Sequence, residues 1–192
     1  MSAGTRIESL IAALEAHADN LPPVHTWSPD HEGEIDIRID ADGRWFHEDV
    51  AIERDALVRL FASVLRRDPE GYALVTPVEL LRIRVDDVPF CIADVENRAE
   101  AGAEPVWVAT TSLGEQVVLD ADHPIRAGVL ERGENGAAYA VVRAAPASGE
   151  PFRAIEGRLT RAAWYRLAEH LTVTKVGAVL RSGGVDHRFA TP

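Results

Sequence analysis

The chain alternates polar and apolar side chains over residues 33–40, which read Gly33-Glu34-Ile35-Asp36-Ile37-Arg38-Ile39-Asp40. A period of two residues is typical of a β-strand with one buried face, so the isoleucines predict the core side of a strand over Glu34–Asp40. Asp42-Gly43 predicts a hairpin turn, and Trp45–Ile52 predicts the return strand. The first part of the fold is therefore an antiparallel pair of strands.

The helix that follows this hairpin is predicted by apolar residues at helical spacing. One face of Arg54–Arg67 carries Leu57, Leu60, Phe61, Val64 and Leu65. A second amphipathic helix is predicted upstream, over Thr5–Ala18. Downstream, stretches rich in strand-forming residues and bounded by Pro and Asp turns predict strands at Tyr72–Thr76, Glu79–Val85 and Phe90–Val95.

The second half of the chain repeats the order of elements in the first half. A linker predicted at Asn97–Pro105 divides the chain into domains of residues 1–96 and 97–192. The second domain is predicted to begin with strands at Val106–Thr110 and Gln116–Leu119 and a loop over 120–136. A second set of two strands, a helix and a strand follows at Ala138–Arg143, Phe152–Arg158, Arg161–Leu171 and Gly177–Arg181. We interpret both halves as ββαβ units of an α+β fold with antiparallel sheets; a chance succession of common elements is the alternative.

Composition and charge restrict the class of partner. The 192 residues are 46% hydrophobic and 27% charged, which is typical of a globular protein rather than a disordered one. A formal net charge of -11 repels phosphate backbones, so we expect no nucleic-acid partner. No run of residues reaches the ~18 apolar residues of a membrane span, and Cys91 is the only cysteine. These features predict a cytoplasmic protein with no membrane partner, and they leave the oligomeric state open.

Two predicted strands carry charged residues on one face. The isoleucines of the first strand leave Asp36, Arg38 and Asp40 together on its other face, and Leu81, Ile83 and Val85 leave Arg82, Arg84 and Asp86 together in the same way. Such faces suit either a ladder of ion pairs between strands or a polar groove that recognises an anion. The sequence leaves both alternatives open.

No motif assigns a reaction. The seven histidines include no His-Glu-x-x-His pair, and the densest group of candidate metal ligands comprises His25, His31, Glu32, Glu34 and Asp36. A metal-dependent hydrolase that uses these residues is one alternative, and a protein-interaction module without a small-molecule ligand is another. Cys91 follows Phe90 in an apolar stretch, so we expect a buried, unreactive thiol. We therefore favour a binding protein over an enzyme, leave enzymatic activity open and name no cofactor.

The standard glycine-rich phosphate loops are absent from the sequence. Its single glycine pair lies in Ser182-Gly183-Gly184. The backbone amides of this segment predict either a nest for an anion or a hairpin turn between Val179 and Phe189.

Several motifs in the first half resemble those of a bacterial family known as domain of unknown function 1285. They are Pro22-Pro23-Val24-His25-x-Trp27-x-Pro29, residues 33–39, Asp42-Gly43-x-Trp45-Phe46, residues 57–67, residues 71–79 and residues 82–90. The second half is similar only in patches, at Thr110-Thr111, Asp122-His123-Pro124, Tyr139-x-x-x-Arg143, Arg161-x-x-x-Tyr165 and Ser182-Gly183-Gly184. Ala144–Glu150 has the character of an insertion in a hairpin.

The resemblance implies an α+β fold with domain duplication and a second half similar to a pleckstrin-homology barrel. It implies no established enzyme activity. It implies a pocket at the interface of the two halves, with a nucleotide-like molecule as one candidate ligand, and a role in signal transduction. The Arg-rich strand faces and the repeated order of elements lead us to expect a small anionic ligand between the two halves. The residues here that match motifs able to line such a pocket are Asp36, Arg38, Glu79, Arg82, Arg84, Tyr139, Arg143, Ser182, Gly183 and Gly184.

Overall fold

The computed structural model of the protein describes residues 21–100, 102–129, 135–146, 152–175 and 177–189. They form two compact units, one from the described residues of 1–86 and 145–153 and the other from those of 87–144 and 154–192. The helix predicted at Thr5–Ala18 lies outside the described residues. Within the described part of the chain, no helix is long and apolar enough to cross a membrane.

The described residues of the first unit form a six-stranded sheet with one α-helix. Its elements are β1 (His31–Ile39), β2 (Trp45–His47), β3 (Val50–Ala51), α1 (Asp55–Ser63), β4 (Leu65–Asp68), β5 (Gly71–Val75) and β6 (Glu79–Val85). The strand order is β3-β2-β1-β6-β5-β4. All neighbours are antiparallel except β1 and β6, which pair in parallel at the middle of the sheet.

The predicted core face of β1 is confirmed. Ile35, Ile37 and Ile39 are buried, as the alternation requires. Helix α1 buries Val58, Phe61 and Ala62. Phe61 lies against Trp45 of β2, with 6.2 Å between the ring centroids. Burial of these apolar side chains holds the helix on the sheet.

Two predicted elements of this unit differ from the structure. The helix predicted over Arg54–Arg67 ends at Ser63, because Leu65–Asp68 forms β4 and pairs antiparallel with β5. The return strand predicted over Trp45–Ile52 is broken into β2 and β3 by Glu48 and Asp49, which both have positive φ. Neither break has a Gly or Pro to mark it in the sequence.

In the second unit, the part of the chain that the structure describes forms a six-stranded sheet, one α-helix and a three-stranded sheet. Its elements are β7 (Phe90–Asn97), β8 (Trp107–Thr111), β9 (Gln116–Val118), β10 (Ile125–Val129), β11 (Asn135–Arg143), β12 (Ile155–Leu159), α2 (Arg161–Ala168), β13 (Thr172–Thr174), β14 (Gly177–Ser182) and β15 (Val185–Phe189). The large sheet has the order β10-β11-β12-β7-β8-β9, and the small sheet has the order β13-β14-β15. The segment 97–105, predicted as a linker, connects the antiparallel neighbours β7 and β8.

The strand predicted over Phe152–Arg158 is divided between the two units. Strand β12 begins at Ile155. Phe152 belongs to the first unit, where the Arg66 guanidinium lies 4.6 Å from the centre of its ring. The Arg153 N–H donates to the Arg67 carbonyl, with 2.9 Å between nitrogen and oxygen, next to the edge of β4.

The two six-stranded sheets share one strand order. In each, the first and last of six successive strands pair in parallel, and the remaining strands extend outward in antiparallel order. The helix position differs, since α1 follows the third strand of its unit and α2 follows the sixth. The described residues are thus mostly sheet with two α-helices, an α+β arrangement. The ββαβ repeat and the likeness to a pleckstrin-homology barrel stay predictions.

Candidate functional site

The charged face of the first sheet is centred on the parallel pair β1 and β6. Arg38 and Arg84 are Cα partners in this pair, so their side chains leave the same face of the sheet on strands about 4.8 Å apart. Each is bound to a carboxylate of the other strand. The Arg84 Nη2 donates to Asp36 Oδ1 at 2.5 Å, and the Arg38 Nη1 donates to Asp86 Oδ2 at 2.9 Å. We call these four residues the β1–β6 ladder.

The ladder is accessible to solvent. The side chains of Arg84 and Asp36 are 64% and 48% exposed. The Arg38 guanidinium lies 4.6 Å from the centre of the Phe46 ring, which limits its rotamers through a cation–π contact. Exposed ion pairs of this kind contribute only about 0–1 kcal/mol each. The two ion pairs of the ladder therefore contribute little to the stability of the fold.

Asp40, which the sequence placed on the same strand face, has another role. Its Oδ1 accepts from the backbone N–H groups of Asp42 and Arg44, both at 2.9 Å. Its Oδ2 accepts from the Arg44 Nε at 2.9 Å. Asp40 therefore closes the turn between β1 and β2 and is not part of the ladder.

Arg82 is held much more firmly than Arg84. Its Nη1 donates to both carboxylate oxygens of Asp68, at 2.6 and 2.7 Å, and the two side chains are 23% and 7% exposed. Burial raises the pKa of the Asp68 carboxyl, but the hydrogen bonds and charge of Arg82 outweigh that effect and hold the pKa below its usual value. This pair is a fixed structural contact rather than an exchangeable one.

Glu79 does not join the ladder. It begins β6, five positions before Arg84, and its Cα partner on β1 is His31. Alternation along the strand places Glu79 on the face opposite Arg82 and Arg84. The structure therefore separates this predicted site residue from Arg38, Arg82 and Arg84.

In the second unit, Tyr139 is at the centre of a row of charged residues. Arg126, Tyr139 and Arg158 are successive Cα partners across β10, β11 and β12. The Tyr139 hydroxyl donates to Asp87, at 3.2 Å from each carboxylate oxygen. Burial, together with the charge of Asp87 and the hydrogen bond to it, raises the pKa of Tyr139 to about 12. The phenol therefore stays protonated at neutral pH and acts as a hydrogen-bond donor.

Arg143 faces away from Tyr139, although the two residues are four positions apart on one strand. A register shift between Val141 and Arg143 places Arg143 opposite Ile155 and reverses the alternation. The Arg143 guanidinium lies 5.0 Å from the centre of the Phe90 ring and donates to both oxygens of Glu115, at 3.1 and 2.9 Å. The structure thus does not bring Tyr139 and Arg143 together.

The contacts of Ser182-Gly183-Gly184 favour the hairpin turn over an anion nest. The segment connects β14 and β15, and both glycines have positive φ, at 55° and 79°. The buried Ser182 Oγ accepts from the Trp107 N–H at 2.9 Å, and the Gly183 N–H donates to the Pro105 carbonyl at 3.2 Å. These polar groups are used to attach the hairpin to the neighbouring loop and strand.

The other candidate chemistry is not assembled by the fold. Within residues 21–100, 102–129, 135–146, 152–175 and 177–189, no three His, Cys, Asp or Glu side chains are grouped closely enough to hold a metal ion. The candidate ligands His25, His31, Glu32, Glu34 and Asp36 therefore form no such group. The Cys91 side chain is partly exposed on β7, so the expectation of a buried thiol is wrong.

Several residues that shape these faces were not identified as site residues in the sequence. Asp68 directly follows the helix predicted over Arg54–Arg67, and Arg126 fell within the predicted loop over 120–136. Asp87 lies between the strands predicted at Glu79–Val85 and Phe90–Val95, and it binds Tyr139. The signal that was missed is the alternation of Ile125–Val129, which was too short to stand out from the surrounding loop.

The chain is similar to proteins described as members of one family. A family model described as "Domain of unknown function (DUF1285), N-terminal domain" matches residues 22–88. A DUF1285 family protein of Silicibacter pomeroyi DSS-3, known from a crystal structure, is 36% identical, with 94% of this chain and 93% of that chain covered and a TM-score of 0.80. One from Shewanella baltica OS155 is 27% identical, with 69% and 90% covered and a TM-score of 0.50. No curated protein matches the chain.

Proposed function

This chain belongs to the DUF1285 family, as its sequence motifs predicted, and from that premise we propose that it is a binding module for a small anionic ligand. The β1–β6 ladder is the site that the geometry supports best. The observation that carries the proposal is the adjacency of Arg38 and Arg84, two guanidiniums on one face of the sheet. The side chains of Arg38 and Asp86 are 29% and 36% exposed, and those of Arg84 and Asp36 are more exposed.

The ladder suits an anion with two charged groups. Guanidinium groups bind phosphate or carboxylate oxygens through two parallel hydrogen bonds. On this face each such contact, like the ion pair that it displaces, contributes about 0–1 kcal/mol. A diphosphate or a dicarboxylate competes with Asp36 and Asp86 because one molecule bridges both guanidiniums.

The remaining charges of the face restrict the size of the ligand. Arg82 stays bound to Asp68 and offers no further positive charge. The net charge of -11 repels extended polyanions, so a short-range contact with a small molecule is favoured over a nucleic acid. Ligand-contact roles for Glu79, Tyr139, Arg143 and Ser182–Gly184 stay predictions from the family resemblance.

The proposal extends to a regulatory role. A module that binds a small anion fits a part in signal transduction. A cytoplasmic location belongs to the same proposal, because a single cysteine suits a reducing compartment.

Isothermal titration calorimetry with inorganic pyrophosphate tests this function. We expect Arg38→Met/Arg84→Met to abolish the binding heat. The matched control is Arg59→Met/Arg98→Met, which removes two positive charges from other ion pairs and should leave binding intact. Asp36→Asn/Asp86→Asn removes the competing carboxylates and should tighten binding by about 3- to 10-fold. Equal pyrophosphate affinity in the wild type and all three double variants would exclude the ladder as the binding site. If no protein binds the anion and the molecular mass in solution rises with protein concentration, the result would favour a protein-interaction module.

A further inference from the structure

Among the described residues, three N–H hydrogen bonds and the Arg181–Glu104 ion pair are polar contacts that attach the small sheet of the second unit to its neighbours. The Trp107 N–H donates to Ser182 Oγ at 2.9 Å, and the Gly183 N–H donates to the Pro105 carbonyl at 3.2 Å. A third contact joins β10 to β15, where the Ile125 N–H donates to His187 Nδ1 at 3.3 Å. Of these three acceptors, only the imidazole nitrogen gains a proton in mildly acidic solution.

The contact with Ile125 fixes the protonation state of His187. A nitrogen that accepts a hydrogen bond must carry a lone pair, so the imidazole is neutral with its proton on Nε2. The residue is only 4% exposed, so water has little access to the ring. An imidazolium ion carries N–H groups at both nitrogens and would point one of them at the Ile125 N–H.

The charged groups around His187 come from three elements. On β15, Asp186 pairs with Arg181 of β14 at 3.1 Å, and Arg181 also approaches Glu104 at 3.4 Å. Beyond β9, the Asp120 Oδ1 accepts hydrogen bonds from the His123 Nδ1 at 3.2 Å and from the His123 backbone N–H at 2.9 Å. On β10, the next residue is Arg126, which binds Glu156.

Burial dominates the balance of these effects. It lowers the pKa of His187, while the hydrogen bonds of the backbone at Leu119 and Ser182 and the charges of Asp120 and Asp186 oppose the shift without reversing it. The ring is therefore neutral at neutral pH and gains its proton only in acid.

We propose that His187 is an acid-sensitive latch, whose protonation releases β15 from β10 while the contacts at Trp107, Pro105 and Glu104 keep the β14–β15 hairpin attached. The chemical basis is the exchange of an acceptor for a donor at Nδ1. Protonation removes the Ile125 hydrogen bond and places an uncompensated positive charge in a buried position, and both effects favour opening of this one contact.

Amide hydrogen exchange and nitrogen-15 NMR of the full chain test the latch. We expect the protection factor of the Ile125 amide to fall on the order of tenfold between neutral pH and the lowest pH at which the chain stays folded, while that of the Trp107 amide changes little. In His187→Asn, the side-chain oxygen keeps an acceptor near the place of Nδ1 and cannot titrate, so Ile125 protection should be independent of pH. His170→Asn is the control. The centroids of the His170 and Trp107 rings are 4.8 Å apart, and this replacement should leave the pH response of the Ile125 amide intact.

Three results would overturn the latch. They are wild-type Ile125 protection that is equal at both pH values, a pH response that survives in His187→Asn, and a nitrogen-15 shift that shows a proton on Nδ1 of His187 at neutral pH. The last measurement uses the wild-type chain, so it decides the question even if the variant does not fold.

Discussion

The contrast between a fixed ion pair and an exchangeable one predicts a large difference in the stability of two matched variants. Asp68→Asn and Asp36→Asn each remove one carboxylate charge from an arginine on the same sheet. Asp68 and Arg82 are 7% and 23% exposed, whereas Asp36 and Arg84 are 48% and 64% exposed. Removal of one partner from a buried pair costs about 3–5 kcal/mol, whereas an exposed pair contributes about 0–1 kcal/mol.

For Asp68→Asn we expect a loss of about 3 kcal/mol, at the lower end of that range, because Arg82 keeps some contact with water and a second carboxylate, Glu70, lies 3.8 Å away. For Asp36→Asn we expect a loss below about 1 kcal/mol. Equilibrium urea unfolding at neutral pH measures both free energies. In Asp68→Asn/Arg82→Met, where no buried charge is left unpaired, most of the stability should return.

The pH dependence of the same variant supplies an internal check. The folded-state pKa of Asp68 lies below the usual value of 3.8, so its contribution is complete above that value and is lost as pH falls through the folded pKa. The wild type and Asp68→Asn should therefore converge in stability in strong acid. Equal losses for Asp68→Asn and Asp36→Asn at neutral pH would refute the distinction between the two pairs.

Three further outcomes are expected. Asp49 has a φ of 62° at a two-residue turn, so Asp49→Gly relieves left-handed strain but frees the unfolded chain, and the free energy of unfolding should rise by less than about 1 kcal/mol in urea titrations; a fall would contradict the strain at Asp49. Gly183→Ala would place a Cβ 2.8 Å from the Asp120 Cβ, whereas the Cβ of Gly184→Ala would meet nothing within 4 Å. Gly183→Ala should therefore destabilise the fold by more than Gly184→Ala does. Thermal unfolding compares the two variants, and equal losses of stability would contradict the close packing around Gly183. The pKa of Tyr139 is about 12, and Asp87→Asn should lower it in an ultraviolet absorbance titration, whereas no change would contradict the role given to Asp87.

Local patterns were sufficient to predict the elements whose faces are set by burial alone. The isoleucines of residues 35–39 predicted β1 and its core face because a period of two is a property of one strand. The same reasoning placed Arg84 and Asp86 on a face opposite Leu81. The ladder itself, with two arginines side by side, required the parallel pairing of β1 with β6, which local patterns do not encode.

Other features depend on contacts between distant segments. Val64 and Leu65 continue the helical spacing of α1, but Leu65 instead pairs opposite Leu74 in a strand. Arg143 and Tyr139 share a face by spacing alone, and the register shift after Val141 separates them. In both places, tertiary pairing overrides a valid local signal.

Mass spectrometry of the natively purified chain tests the proposed function most directly. Masses under native and denaturing ionisation should differ by a co-purified small anion in the wild type, and this difference should be absent from Arg38→Met/Arg84→Met. The same molecule retained by that variant would contradict the assignment of the β1–β6 ladder as the ligand site.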